Sequence, residues 1–246
     1  MEDLTLRQID ILKAIIKEYT DTGDATGSEI LEKKYKLGIS PATIRNEMVA
    51  LVKKGYLSKA YFSSGRIPSA KAYRFYIKNL MKEKELSTGD EVAYKNSIWD
   101  DRQDAHRLLA QATHILAEKT GLLSVSTTND GDLYYSGVSN LLEINEFLDW
   151  KLSRSLFQRL DVTKFWSDIL TKLLQIEEDS VFMLGEEDFS DPLFEPCASV
   201  FFDFEGENIK GMIGVVGPKR MYYEVVTPQI KYFSTLIGNI LKEQKI

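Results

Sequence analysis

Ser40-Pro-Ala-Thr-Ile-Arg-Asn-Glu-Met48, continuing through Val49-Ala-Leu-Val-Lys-Lys54 to Gly55-Tyr-Leu57, decides how the first third of this chain folds. Ser40 supplies an N-cap, and Pro41 stands at the first helical position, where a missing N–H costs nothing. The helix runs to about Lys54, and Gly55 ends it. At about 100° per residue, Ile44, Met48, Leu51 and Val52 share one face that must pack on other helices. The opposite face carries Ala42, Asn46, Val49, Ala50 and Lys53, with Thr43 and Arg45 beside it. Small side chains there allow close approach to the floor of a duplex groove. Ala and Thr methyls can touch a thymine methyl, Asn46 can pair with adenine, and Arg45 with guanine or a phosphate. The plainer alternative makes Arg45 and Glu47 a surface ion pair and leaves Asn46 solvated.

Toward the amino terminus, Thr5-Leu-Arg-Gln8 has the form of a capping box. Leu6, Ile9, Leu12, Ile15, Ile16 and Tyr19 follow at helical spacing, with Gly23 as the stop. A second helix is expected from near Ser28, with a further box from Thr26 to Glu29, and Gly38-Ile39 makes a short turn. Three short helices joined by brief turns are a helix-turn-helix pattern. Toward the carboxyl terminus, Gly55-Tyr-Leu-Ser-Lys59 begins extended, and Ser63-Ser-Gly-Arg-Ile-Pro68 reads as a hairpin tip and return strand. A hairpin directly after a recognition helix is a wing, which puts Lys59, Ser64 and Arg66 beside the adjoining groove or backbone. Ser69 caps a fourth helix, Ala70 to about Lys84, with Tyr73, Tyr76, Ile77 and Leu80 as its apolar side. Its Lys71, Arg74, Lys78 and Lys82 face solvent or phosphate; a structural tie from Arg74 to the wing is the alternative.

The charge distribution fits this division. The 246 residues carry a formal net charge of −6, but residues 1–84 hold 16 Lys/Arg against 10 Asp/Glu, and residues 85–246 hold 15 against 27. The window 33–82 has 12 basic residues and one acid, Glu47. A basic module is joined to an acidic body, as in many nucleic-acid-binding chains. At roughly 150 residues per domain the length suits one large or two small domains. The single cysteine, Cys197, rules out a disulfide framework and any multi-cysteine zinc site. No apolar run approaches the roughly 18 residues of a membrane span, and Met1-Glu-Asp3 lacks the basic and apolar regions of a signal peptide. A cytoplasmic protein is expected.

Residues 85–100 are polar and acidic and read as a linker. An amphipathic helix is expected from about Asp101 to Lys119, then strands at 122–127 and 133–137 across an Asn129-Asp-Gly-Asp132 turn. Helices follow at about 145–159 and 163–175, strands at 180–184, 198–204 and 210–216, and a closing helix at about 227–242. Strands mixed with helices without regular βαβ alternation make residues 101–246 an α+β domain. Lys219-Arg220 after Gly217-Pro218 read as a positively charged tip, either an anion site or a structural turn, with the turn favoured.

Thr22-Gly-Asp-Ala-Thr-Gly-Ser28, Ala42-Thr-Ile-Arg-Asn-Glu-Met48, Ser64-Gly-Arg-Ile-Pro68 and Tyr73-Arg-Phe-Tyr76 together resemble the amino-terminal domain of the heat-inducible transcription repressor HrcA family. Gly137-Val-Ser-Asn-Leu-Leu142 and Gly211-Met-Ile-Gly-Val-Val-Gly-Pro-Lys-Arg-Met-Tyr-Tyr223 resemble that family's GAF-like sensory domain. The resemblance implies an α+β protein: a winged helix-turn-helix domain over 1–84, a linker at 85–100, and a trimmed GAF-like sensory and dimerisation domain over 101–246. It further implies a homodimer on double-stranded DNA at an inverted-repeat operator of the CIRCE type, repression of heat-shock chaperone operons, and coupling to the GroE chaperonin. Two departures stand out. Ala60-Tyr-Phe62 occupies the place of a usual proline and histidine. The family's inserted dimerisation domain, between the equivalents of Val125 and Tyr135, is reduced to the segment around 126–133. A dimer must then use another surface, such as the 101–119 helix, the 227–242 helix or a sheet edge.

Catalysis has little to work with. His106 and His114 lie eight residues apart without an acidic ligand set, and the runs Glu177-Glu-Asp179 and Glu186-Glu-Asp188 suit solvated loops. Neither a phosphate loop nor a dinucleotide fingerprint is present. No cofactor, metal or membrane is expected. The DNA-contact candidates are Ser40, Ala42, Thr43, Arg45, Asn46, Lys53, Lys59, Ser64, Arg66 and Arg74. Two rival readings remain: a small-molecule-responsive winged-helix regulator with its ligand in the GAF-like domain, and a basic module that docks protein instead of DNA.

Overall fold

The computed structural model describes residues 4–59, 65–175 and 179–245 of the chain. It is a mixed α+β structure of two compact units, the first reaching Lys82 and including Arg220–Tyr222, the second formed by the rest.

In the first unit α1 (Leu6–Thr22), α2 (Ser28–Tyr35) and α3 (Pro41–Lys53) precede the strands β1 (Leu57–Lys59) and β2 (Arg66–Pro68), and α4 (Ala70–Asn79) follows. The capping box of α1 forms as its sequence demands: the Gln8 amide donates to Thr5 Oγ1 at 3.2 Å, and the Thr5 amide to Gln8 Oε1 at 3.3 Å. Gly23 closes the helix at φ 73°, its N–H donating to the Tyr19 carbonyl. The buried face of α1 is Ile11, Leu12, Ala14, Ile15 and Ile16, while Leu6 is exposed; the stripe is therefore rotated from the expected one, toward α3. The Thr26–Glu29 box does not form. Thr26 is held in a two-way backbone bridge with Arg66, 2.9 Å in each direction, so Gly27 becomes the N-cap of α2.

The hairpin is antiparallel, pairing Leu57 with Pro68 and Lys59 with Arg66. Gly65 enters β2 so close to α2 that a Cβ would lie 2.7 Å from the Ala25 carbonyl oxygen. Ser69 caps α4, accepting from the Ala72 amide at 3.2 Å, and also donates to the Gly55 carbonyl at 2.7 Å. The fourth helix stops at Asn79, short of the expected Lys84, and buries Ala72, Tyr73 and Phe75, with Tyr76, Ile77 and Leu80 only half-buried.

The second unit is built on a five-stranded antiparallel sheet of β3 (Leu123–Thr128), β4 (Leu133–Ser136), β5 (Ser180–Leu184), β6 (Cys197–Glu205) and β7 (Lys210–Pro218), in the order β4-β3-β7-β6-β5. The remaining helices are α5 (Thr88–Trp99), α6 (Ala105–Thr120), α7 (Val138–Leu141), α8 (Trp150–Leu160), α9 (Thr163–Gln175), α10 (Gly185–Phe189) and α11 (Tyr223–Gln244). Strand alternation puts Leu123, Val125, Cys197, Phe201, Met212 and Val216 on one face. There they form a core with Trp166, Ile169 and Leu170 of α9 and Leu152 and Leu156 of α8. The opposite face carries Val200, Phe202, Ile213 and Val215 toward α6 and α11.

Three expectations change. Residues 85–100, read as a linker, contain α5, which buries Tyr94 and Ile98 and stacks Tyr94 on Phe233 with ring centroids 5.2 Å apart. The expected 145–159 helix is broken at Asp149, whose side chain caps α8 by accepting from the Lys151 amide at 2.9 Å; a 3-10 turn, Asn145–Leu148, precedes it. The closing helix begins at Tyr223, ahead of Thr227. Pro228 lies inside α11 and cannot donate to Glu224, and the Lys84 amide occupies that carbonyl instead at 2.8 Å.

The tip read at Lys219 is not a free positive charge. Lys219 is buried and pairs with Glu195, so the turn reading holds there and an anion site does not. Cys197 is buried at the head of β6, and burial pushes its thiol far above the ordinary range. His106 and His114 both project from α6 to the edge strand, meeting Tyr134 Oη at 2.5 Å and Ser136 Oγ at 3.2 Å.

Candidate nucleic-acid interface

The local chemistry of α3 fixes which of its sides is available. Ser40 Oγ accepts from the Thr43 amide at 3.2 Å and shares a hydrogen bond with Thr43 Oγ1 at 3.0 Å. Both hydroxyls thus have local partners at the cap, and Thr43 is half-buried. Ile44, Met48 and Leu51 are buried against α1 and α2, with Val52 half-buried beside them. Ala42, Arg45, Asn46, Val49 and Lys53 are exposed, and Ala50 is half-buried among them.

The one acid of the basic window points away from this face. Glu47 Oε2 accepts from Gln8 Nε2 at 3.0 Å, and Arg7 lies 3.6 Å from Glu47 Oε1. Gln8 Oε1 in turn accepts from Lys54 Nζ at 3.1 Å. The Arg45–Glu47 surface pair is replaced by a tie between α1 and α3. A second acid, Glu18, is paired with Lys34 at 2.6 Å and accepts a hydrogen bond from the Tyr35 hydroxyl at 3.0 Å. Burial, together with that carboxylate, raises the Tyr35 hydroxyl well above its ordinary range and keeps it a donor.

Arg45 and Arg66, far apart in sequence, line one groove of about 280 Å³ with Gly27, Ser28, Glu29, Ile30 and Met48. No side chain caps α2 there, and its first turn carries amides without intrahelical acceptors. The groove brings two guanidinium groups to a helix end that favours negative charge. This juxtaposition was missed in the sequence because it depends on the Thr26–Arg66 bridge. Arg66 is half-buried at the loop end of the hairpin ladder, paired with Lys59. Lys59 is exposed opposite it on β1. Ser64, with Ala60-Tyr-Phe62, lies outside the described residues. Arg74 stands apart, half-buried on α4, which packs against α1 and β2. Lys71 is committed within the unit, donating to the Lys54 carbonyl at 2.9 Å and lying 4.5 Å from the centroid of the Tyr56 ring.

Nothing in this surface resembles catalytic machinery. No group of three His, Cys, Asp or Glu able to hold a metal ion occurs among the described residues, and none of their helices is long and apolar enough to cross a membrane.

A basic, exposed helix face beside a two-stranded hairpin, on a chain continuing into a sheet unit, defines a two-unit α+β protein. A solved structure described as a hypothetical protein shares the fold with a TM-score of 0.81 at 17% identity, covering 98% of this chain and 100% of that one. The profile of the family described as HrcA protein C terminal domain matches residues 50–227. The chain belongs to the HrcA family. Among its relatives, the heat-inducible transcription repressor HrcA of Clostridioides difficile (strain 630) is 36% identical over 126 residues, 51% of this chain and 37% of that protein. The protein of the same name from Clostridium botulinum (strain Eklund 17B / Type B) is 42% identical over 123 residues, 50% and 36% of the two chains. The match thus spans little more than a third of the curated relatives' length. The exposed face of α3 up to Val49 precedes the profile match.

Proposed function

We propose that this chain is a heat-inducible transcriptional repressor that binds double-stranded DNA as a homodimer, with α3 as recognition helix and the β1–β2 hairpin as wing. The observation that carries this reading is the division of α3. Its apolar side is buried, its one acid is tied to α1, and Ala42, Arg45, Asn46, Val49 and Lys53 are left exposed. In this proposal Asn46 and Arg45 read base edges, Ala42 and Val49 meet thymine methyls, and Lys53 and Lys59 neutralise phosphates. Arg45 and Arg66, flanking the uncapped start of α2, suit a backbone phosphate. Ser40 and Thr43 hold the start of the helix and offer hydroxyl oxygens to the backbone. Arg74 supports the wing from α4.

The heat-inducible repressors among the relatives support repression of heat-inducible genes, and the proposed target is an inverted-repeat operator of the CIRCE type with chaperonin coupling. The sheet flanked by helices is the proposed GAF-like part. A ligand-responsive regulator is less well supported, because the space between the sheet and α8–α9 is filled by Trp166, Phe201, Leu123 and Met212. Salt titration of duplex binding tests the DNA reading. Several lysine and arginine contacts to phosphates give a linear, steep fall of log affinity with log salt; an affinity indifferent to salt contradicts it.

A further inference from the structure

An apolar groove lies open on the second unit, and it is not on either helix that the sequence suggested for self-association. The apolar sides of α6 and α11 are buried. The groove, about 500 Å³, lies where the 3-10 turn meets α8 and is lined by Leu142, Leu148, Trp150, Arg154, Phe157 and Asp161 among others. Leu142 is 51% exposed, Leu148 64% and Trp150 63%. Single exposed apolar residues are ordinary, but three large ones around one groove mark an interaction surface.

The charges on the groove say what fits it. Trp150, Arg154, Phe157 and Asp161 follow one another at spacings of four, three and four, which places them in one stripe along α8. Arg154 and Asp161 stand equally far on either side of the Phe157–Gln158 peptide. Both are exposed, and among the described residues neither has an ion-pair partner. The other arginine of this part of α8, Arg159, is already used, bonding Asp191 at 3.1 Å and lying 3.8 Å from the centroid of the Phe194 ring. Two copies of α8 packed antiparallel about a two-fold axis at Phe157–Gln158 set Arg154 of each against Asp161 of the other. The ion pair then forms twice while the two Phe157 side chains meet beside the axis. A self-complementary patch of this kind is what a two-fold interface requires.

We infer that the α8 groove is the docking surface for a second copy of this chain. The inference rests on the homodimer of the proposed function and specifies its interface. It is tested by sedimentation equilibrium of the full chain as Arg154→Asp, Asp161→Arg and the double variant. Both changes lie on exposed positions, so the fold is retained. Each single change places like charges opposite one another twice and raises the dimer dissociation constant about tenfold or more, equivalent to about 1.4 kcal/mol. The double variant restores the pairs with reversed sign and regains dimerisation. A wild-type chain that stays monomeric through the micromolar range, single variants that dimerise like wild type, or a double variant that fails to recover would each overturn the inference. Duplex binding measured on the same samples separates the two readings. A dimer sensitive to these changes that prefers no DNA sequence sinks the repressor and leaves the interface. Sequence-specific binding by a chain whose mass ignores them does the reverse.

Discussion

Asn46 and Arg45 lie on the exposed side of α3, so truncating them removes contacts with a partner and little else. Arg45→Ala and Asn46→Ala are each expected to cost about 1–3 kcal/mol on a preferred duplex, with little change on random DNA. Thermal stability should stay within about 0.5 kcal/mol of wild type, as for surface positions without buried partners. Equal losses on preferred and random duplexes, measured by fluorescence anisotropy, would demote either residue to a backbone contact. At this scale the sequence was most informative where the chemistry is local. The Ser40, Ser69 and Thr5 caps are legible because acceptor and donor lie within three residues of each other. The alternative Arg45–Glu47 pair fails for the opposite reason: the partners of Glu47, Arg7 and Gln8, are some 40 residues away. The bridge from Arg66 to Thr26 was not legible, because nothing in the flanking residues of either announces it.

Helices and strands with a strong apolar stripe could be read in advance, and those without one could not. The three antiparallel central strands and α1, α3 and α6 follow their patterns to within a few residues. The α5 helix buries only Tyr94 and Ile98 along 12 residues, so its polar composition reads as a connector. The α11 helix starts ahead of the expected 227, with Pro228 inside it, and the Lys84 amide takes up the carbonyl that proline leaves without a donor. The hairpin depends on a close approach that only glycine permits. Gly65→Ala would drive a Cβ to 2.7 Å from the Ala25 carbonyl oxygen, a backbone atom that cannot rotate away. The change should destabilise the chain by about 1–3 kcal/mol, as overpacking does, and weaken duplex binding by displacing Arg66. A melting temperature equal to that of wild type in a calorimetric scan would contradict the packing described here.

Across the whole chain, the charge asymmetry survives as a structural fact. The 12 basic residues of the window 33–82 belong to the helix-and-hairpin unit, and the second unit carries the acidic excess. The division was legible because charge sums need no tertiary knowledge. The surface for self-association was not, since Leu148, Trp150 and Phe157 are indistinguishable in sequence from core residues until α8 has been laid on the sheet. In the fold Leu148 and Trp150 flank the break at Asp149 and stay exposed, and Phe157 is half-buried. If α3 enters a groove and two copies act together, the chain should select its own target. Selection of bound fragments from a random duplex pool by the full chain is the most direct measurement of that claim. Enrichment of a two-fold repeated consensus, lost with Asn46→Ala at matched salt, is the predicted result. A pool that remains random after successive rounds, or a consensus that the Asn46 substitution leaves untouched, would contradict it.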